Sequence, residues 1–149
     1  MSNGQGIFIV AGARTAIGTF GGALASFRPA ELGAIVIREA IDRAGIAGAD
    51  VQNVVIGTVV PTQPKDAYVS RVAAVNAGIP TDAPAMNVNR LCGSGLQAIV
   101  SAAQAIALGE HDVAVAGGAE SMSNAPHMVL SARNGQKMGN IEMVDAMLG

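Results

Sequence analysis

Four short apolar runs alternate along the chain with stretches in which apolar positions recur every three or four residues. The runs are 7–12, 54–60, 85–88 and 113–117, each rich in Val, Ile or Ala and bounded by Gly, Pro, Asn or Asp. Such uninterrupted runs predict strands buried on both faces of a sheet. Between them lie three helical patterns. The first sets Leu32, Ile35, Val36, Ala40, Ile41 and Ala44 on one face and the pairs Arg38/Asp42 and Glu39/Arg43 on the other, which predicts an amphipathic surface helix. The second, about 68–77, is short. The third, 95–108, carries Leu96, Ile99, Val100, Ala103 and Ile106 without a single charge, so it is expected to be buried on nearly all sides.

Strand and helix alternate throughout, which predicts an α/β fold with right-handed crossovers, a mostly parallel sheet and flanking helices, in the order βαβαβαβ. After Glu120 the regularity fails. Residues 121–149 hold Asn124, Pro126, Asn134, Gly135, Gly139 and scattered methionines, with no further strand pattern to close the sheet. The division expected is therefore a regular unit over 1–120 and the opening of a different one over 121–149.

Composition sharpens this picture. Half of the 149 residues are hydrophobic but only 3% are aromatic, and there are 19 glycines, so the apolar content resides in small side chains suited to close-packed layers. A lone domain of this length buries about 70% of its unfolded surface. A chain with 13% charged residues is expected to hide further faces against another protein surface, as a part of a larger fold would.

The net charge is −2 and the two lysines are isolated, so the electrostatic footprint of a nucleic-acid or anionic-membrane binder is missing. The stretch 91–108 is interrupted by Gln97, Ser101 and Gln104 and is too polar for a bilayer span. Residues 1–10 contain neither a basic n-region nor a long apolar h-region, and a single cysteine excludes an internal disulfide. The expected setting is cytoplasmic.

That cysteine is Cys92, between the run 85–88 and the start of the uncharged helix. A thiol there faces unpaired backbone N–H groups and the positive end of the helix dipole, both of which favour thiolate, the nucleophilic form. Gly93 and Gly95 clear space for a sharp turn and for an approaching acyl group. The same N–H groups could hold an oxyanion on a thioester carbonyl. A solitary cysteine without context is ordinarily a small buried hydrophobe; the setting of Cys92 argues against that. Ser94 does not qualify as the nucleophile of a hydrolase elbow, because G-x-S-x-G needs glycine where Cys92 stands. Glycines 12 to 18 fit neither G-x-G-x-x-G nor a P-loop.

His111, in a helix-to-strand turn, reads as a solvated surface residue. His127 lies in the irregular tail and would need hydrogen-bond reach to the sulfur to serve as its base. One cysteine and two histidines at unrelated spacing match no metal-ligand pattern. Glu120 ends a buried run, where a carboxylate must find donors, and is expected to hold the loop that follows it.

At Asn89-Arg90-Leu91-Cys92-Gly93-Ser94-Gly95-Leu96-Gln97-Ala98 the sequence resembles the active-site signature of thiolases. Gly117-Gly118-Ala119-Glu120-Ser121-Met122-Ser123 is similar to their second N-terminal signature. The start, Ala13 to Gly22, is similar too, with Ala16 where the family commonly has proline. The resemblance spans essentially the whole chain and is nearest to bacterial β-ketothiolases. It implies the N-terminal half of a thiolase-like layered fold, with 121–149 opening a loop domain that binds coenzyme A.

The resemblance also implies Claisen condensation of acyl-CoA units, or the reverse thiolysis of a 3-oxoacyl-CoA, in fatty-acid or polyhydroxyalkanoate metabolism. Cys92 would be the acylated nucleophile and its backbone N–H part of an oxyanion hole. The activating histidine and a second, acid/base cysteine would come from a C-terminal half. No permanent cofactor is implied, coenzyme A and acyl-CoA being substrates, and the family assembles as homodimers or homotetramers through the strand before the nucleophile, here around Met86 to Asn89. The alternatives are a β-ketoacyl synthase-like condensing enzyme, against which the wording around Cys92 and Glu120 argues, and a short non-catalytic partner of a full-length subunit.

Overall fold

The structure is a computed structural model and describes residues 6–148. The sequence reading for 1–5 and for Gly149 lies outside the described residues. Three parallel strands, β1 (Asn53–Gly57), β2 (Ala85–Val88) and β3 (Ala114–Gly118), form a sheet in the order β2-β1-β3. Three helices connect and cover them: α1 (Pro29–Ala44), α2 (Val69–Asn76) and α3 (Ser94–Ala107).

The central strand β1 explains the layering. Side chains alternate along a strand, and here both faces are buried. Val54 and Ile56 join a core with Ile37 and Ile41 of α1 and Val69, Ala73 and Ala74 of α2. Val55 points the other way, onto Ala98 and Ala102 of α3. The chain moves outward from β1 to β2 and then back across β1 to β3. With crossovers of one hand, that reversal places α2 and α3 on opposite faces.

α1 starts where the fixed φ of Pro29 suits a first helical residue and the Arg28 N–H donates to the Glu31 carboxylate at 2.7 Å. It ends at Gly45, whose φ of 68° closes the last turn in the left-handed region. Its buried face differs from the one the periodicity suggests. Ala30, Gly33, Ala34, Ile37 and Ile41 are buried, whereas Ile35 is exposed and Leu32 and Val36 only half-buried. Small residues win because α1 crosses α2 closely: a Cβ on Gly33 would stand 3.1 Å from the Ala73 Cβ. On the polar side Arg43 pairs with Glu39 at 2.6 Å, while Arg38 donates to the Asn76 carbonyl instead of meeting Asp42.

Three expectations are corrected. Residues 7–12 join no sheet, and Phe8, Ile9 and Val10 are about four-fifths exposed. A strand needs an edge to pair with, and this segment instead lies beside α1, where the Arg43 guanidinium donates to the Gly12 carbonyl at 2.9 Å. The run 54–60 stops being a strand at Gly57, for a reason that belongs to the site. Finally, α3 is buried on one face only. Ser94, Ala98 and Ala102 meet the sheet, while Leu96, Ile99 and Val100 are exposed because no layer among the described residues covers that side.

Beyond Ser121 the chain forms short 3₁₀ turns and a two-stranded antiparallel ribbon, β4 (His127–Met128) with β5 (Val144–Asp145), separate from the main sheet.

Candidate active site

The candidate site lies at the carboxyl ends of the strands, where the order β2-β1-β3 reverses direction and α/β sheets open a crevice. β2 ends at Val88, and α3 begins at Ser94. The five residues between must turn the chain through a tight elbow. Leu91 has φ 50° and is the sole non-glycine among the described residues with positive φ. A left-handed leucine is uncommon and costs about 1–2 kcal/mol, so its surroundings must hold it there.

They do so with short-range hydrogen bonds. The Leu91 N–H donates to Asn89 Oδ1 at 3.0 Å, the Gly93 N–H to the Arg90 carbonyl at 3.1 Å and the Ser94 N–H to the Leu91 carbonyl at 3.0 Å. Ser94 Oγ accepts from the Arg90 N–H at 2.8 Å and donates to the Leu91 carbonyl at 2.6 Å. The Arg90 guanidinium reaches over to Gln97 Oε1 on the first turn of α3.

The elbow presents Cys92 to solvent. This removes the reading of Cys92 as a small buried hydrophobe. Among the described residues the thiol has no hydrogen-bond partner, and the Cys92 backbone N–H meets no acceptor. A carbonyl oxygen could therefore dock on that N–H beside the sulfur.

Glycines bring the start of α3 down onto the sheet. A Cβ on Gly57 would lie 2.4 Å from the Ser94 carbonyl carbon, and one on Gly118 would lie 3.2 Å from the Gly95 Cα. Gly57 and Gly118 are register partners in β1 and β3. The three glycines 57, 95 and 118 thus form one backbone-on-backbone contact that sets the height of the Cys92 turn above the strand ends.

Glu120 is half-buried two residues after β3, and it binds a different loop from the one expected. Its carboxylate accepts the Val59 N–H at 2.8 Å and the Val60 N–H at 3.2 Å, with the Thr58 hydroxyl at 3.4 Å. Two donors that would otherwise continue the strand are diverted to the carboxylate, which is why β1 ends at Gly57. The loop after Glu120 is held by its own residues. Ser121 Oγ donates to the Phe27 carbonyl at 3.1 Å, Asn124 Nδ2 donates to the Ala25 and Phe27 carbonyls, and Ser123 Oγ accepts the Gly21 N–H at 2.9 Å. The Gly117 to Ser123 stretch thereby ties the segment before α1 to the exit of β1.

On the other flank, Asn87 of β2 accepts the Ser70 N–H at 2.9 Å and donates to the Ala67 carbonyl at 3.0 Å, fixing the start of α2. Buried Asp66 accepts the Thr62 N–H and hydroxyl, each at 2.7 Å. The sequence reading considered Ser94 only as a nucleophile and gave Asn87 and Asn89 no structural role. Their signal was that short polar residues beside a turn bind backbone groups.

The histidines part company with the cysteine. His111 is half-buried rather than solvated, because Asn53 Nδ2 donates to its Nε2 at 2.8 Å at the opposite end of β1. His127 is exposed in β4 and makes no hydrogen bond to Cys92 among the described residues. No cluster of three or more His, Cys, Asp or Glu side chains that could hold a metal occurs among the described residues.

With this geometry in hand, comparison with known proteins is specific. Residues 7–149 match the family model for the thiolase N-terminal domain. The chain is 61% identical over 143 residues to "Beta-ketothiolase BktB" of Cupriavidus necator, covering 96% of this chain and 36% of that protein. It is 46% identical to an acetyl-CoA acetyltransferase of the same organism, again covering 36% of the relative. Among solved structures, human mitochondrial 3-ketoacyl-CoA thiolase in complex with CoA superposes with a TM-score of 0.91 at 37% identity, over 94% of this chain and 36% of that one. The Bacillus anthracis acetyl-CoA acetyltransferase gives 0.88 at 41% identity, over 92% and 34%. The chain spans about 36% of the length of these curated relatives. A cysteine on a strained elbow between strand and helix, held by glycine contacts across three parallel strands and carried by a sequence matched over nearly its whole length, places this chain in the thiolase family, as its N-terminal domain.

Proposed function

We propose that the complete protein containing this chain is an acyl-CoA acetyltransferase in which Cys92 carries the acyl group. The observation that carries the reading is the exposed Cys92 thiol at the start of α3, beside its own unengaged backbone N–H, in a chain of the thiolase family.

The Cys92 thiolate attacks the thioester carbonyl of an acyl-CoA, the carbonyl oxygen takes negative charge against the Cys92 N–H, and the carbon–sulfur bond to coenzyme A breaks. Coenzyme A leaves as a thiol after taking a proton, and an acyl-Cys92 thioester remains. The enolate of acetyl-CoA then attacks that thioester, forming a carbon–carbon bond and returning the Cys92 thiolate with release of 3-oxoacyl-CoA. Thiolysis is the reverse. The histidine that activates the thiol and the second cysteine that moves the enolate proton belong, by family resemblance, to a C-terminal half. A nucleophile parted from its base, acid and second oxyanion donor keeps little of its rate, so the 149 residues alone are an incomplete catalyst.

In this reading 1–120 form the nucleophile-bearing half and 121–149 open the loop domain, in keeping with a β4-β5 ribbon that pairs with no other strand among the described residues. Coenzyme A enters as substrate, with no permanently bound cofactor. β2 is an edge strand with Met86 exposed, and pairing across a two-fold axis there would remove a free edge and form a homodimer, or a homotetramer built from two such dimers. No helix among the described residues is long and apolar enough to cross a membrane, and a cytoplasmic setting is proposed.

Acetyl-CoA added without a second substrate should acetylate Cys92 in the complete protein, visible by peptide mass. Cys92→Ala should abolish adduct and turnover, and Cys92→Ser should be nearly as inactive because a hydroxyl stays protonated where a thiol ionises. Thiolysis by Cys92→Ala within about tenfold of wild type, a loss of only ~1.4 kcal/mol in transition-state stabilisation, would overturn the assignment.

A further inference from the structure

We infer that Ser94 is a positioning residue for Cys92, acting as a hydroxyl latch that holds Leu91 in its left-handed conformation so that the thiol and its N–H face the crevice together. The inference deepens the proposed function and rests on it for the acylation step, though not for the geometry.

Four observations converge. Leu91 is a non-glycine at φ 50°, immediately before the nucleophile, and residues other than Gly, Asn and Asp rarely stay there unaided. Ser94 Oγ is placed to bridge the elbow, accepting the Arg90 N–H and donating to the Leu91 carbonyl, so it ties the Asn89–Arg90 peptide to the Leu91–Cys92 peptide across the strained residue. The latch is itself immobile: Ser94 is 4% exposed, and its backbone sits against Gly57, where even a methyl group would collide. Leu91, by contrast, is 69% exposed and has no core to lock it, so its conformation depends on hydrogen bonds rather than packing.

The consequence is mechanical. If the Leu91–Cys92 peptide relaxes, Cys92 rotates with it, and the sulfur and the N–H cease to address one carbonyl. Misplacement of a reacting group by an ångström can cost about a hundredfold in rate. Ser94 touches neither sulfur nor substrate in this scheme; it acts through the backbone.

The test uses the complete protein and reads Cys92 by peptide mass in two ways, acetylation by acetyl-CoA and alkylation by iodoacetamide. Ser94→Ala should slow both by about tenfold or more while leaving KM for acetyl-CoA within about twofold. Leu91→Gly added to Ser94→Ala should recover about threefold or more, because glycine takes positive φ without cost and no longer needs the latch. A same-shape pair keeps the test sound if Ser94→Ala does not fold: Ser94→Thr retains the hydroxyl and should stay within about threefold of wild type, whereas Ser94→Val should be about tenfold slower than Ser94→Thr. Equal rates for the Thr and Val variants, or no recovery on adding Leu91→Gly, would overturn the latch. If wild type alkylates at Cys92 but takes no acetyl group there, the proposed function fails while the alkylation comparison still decides the role of Ser94.

Discussion

At the scale of single residues, the site depends on side chains that are missing as much as on those present. Gly57 is the clearest case, because a Cβ would meet the Ser94 carbonyl carbon at 2.4 Å and the Ser94 carbonyl oxygen at 2.6 Å. Backbone atoms cannot swing aside as the end of a flexible side chain can. Gly57→Ala should therefore lift the first turn of α3 from the sheet and destabilise the fold by about 1–3 kcal/mol, measurable as a lower denaturant midpoint. Gly117, next to Gly118 in β3, provides the control: nothing lies within 4 Å of its Cβ position, and Gly117→Ala should leave the midpoint nearly unmoved. Equal losses at the two positions would show that the close approach is not what the glycine at 57 serves.

At the scale of elements, carboxylates and amides decide where strands and helices stop. β1 lies in an apolar run that continues to Val60, yet it ends at Gly57: the Thr58 N–H still reaches the Val88 carbonyl, but Glu120 takes the amide protons of Val59 and Val60. Glu120→Ala should free that loop. The Val59 and Val60 amides should then exchange with solvent faster by about tenfold or more, with the Val54 and Ile56 amides in the strand unaffected. Glu120→Gln, which retains an acceptor oxygen, should fall between the two. Unchanged exchange at Val59 in Glu120→Ala would mean that the loop is held by something else. The same logic extends to Asn87, whose amide fixes the start of α2 from within β2.

At the scale of the whole molecule, the unusual feature is apolar surface. Leu96, Ile99 and Val100 on the outer face of α3, together with Phe8, Ile9 and Val10, are exposed. Contiguous apolar patches of this kind are uncommon on monomeric soluble proteins. The 149 residues expressed by themselves should bind a hydrophobic dye strongly, and the complete protein should not. A fragment that ignores the dye and unfolds cooperatively would show that these side chains are content in water. For the complete protein, light scattering should report a dimer or larger, and a strict monomer at assay concentration would remove the pairing proposed at β2.

What the sequence determined by itself was local and periodic: the three parallel strands, the placement of α1, α2 and α3 to within a residue or two of each end that was read, and a lone cysteine at the start of an uncharged helix. Those features follow from apolar spacing and from what Gly, Pro and Asn do to the backbone nearby, so they can be read along the chain. The tertiary structure alone decided which face of α1 is buried, because small residues against α2 outweigh the larger apolar ones. It also decided that residues 7–12 stay outside the sheet, that β1 stops at Gly57, and that Glu120 serves a loop some 60 positions earlier in the chain. These outcomes are contacts between residues far apart in sequence, and periodicity carries no information about which distant group will supply a donor, a gap or a wall. The strain at Leu91 belongs to the same class, since nothing in the letters Arg-Leu-Cys-Gly-Ser marks the leucine as left-handed until the Ser94 hydroxyl is seen reaching back to hold it.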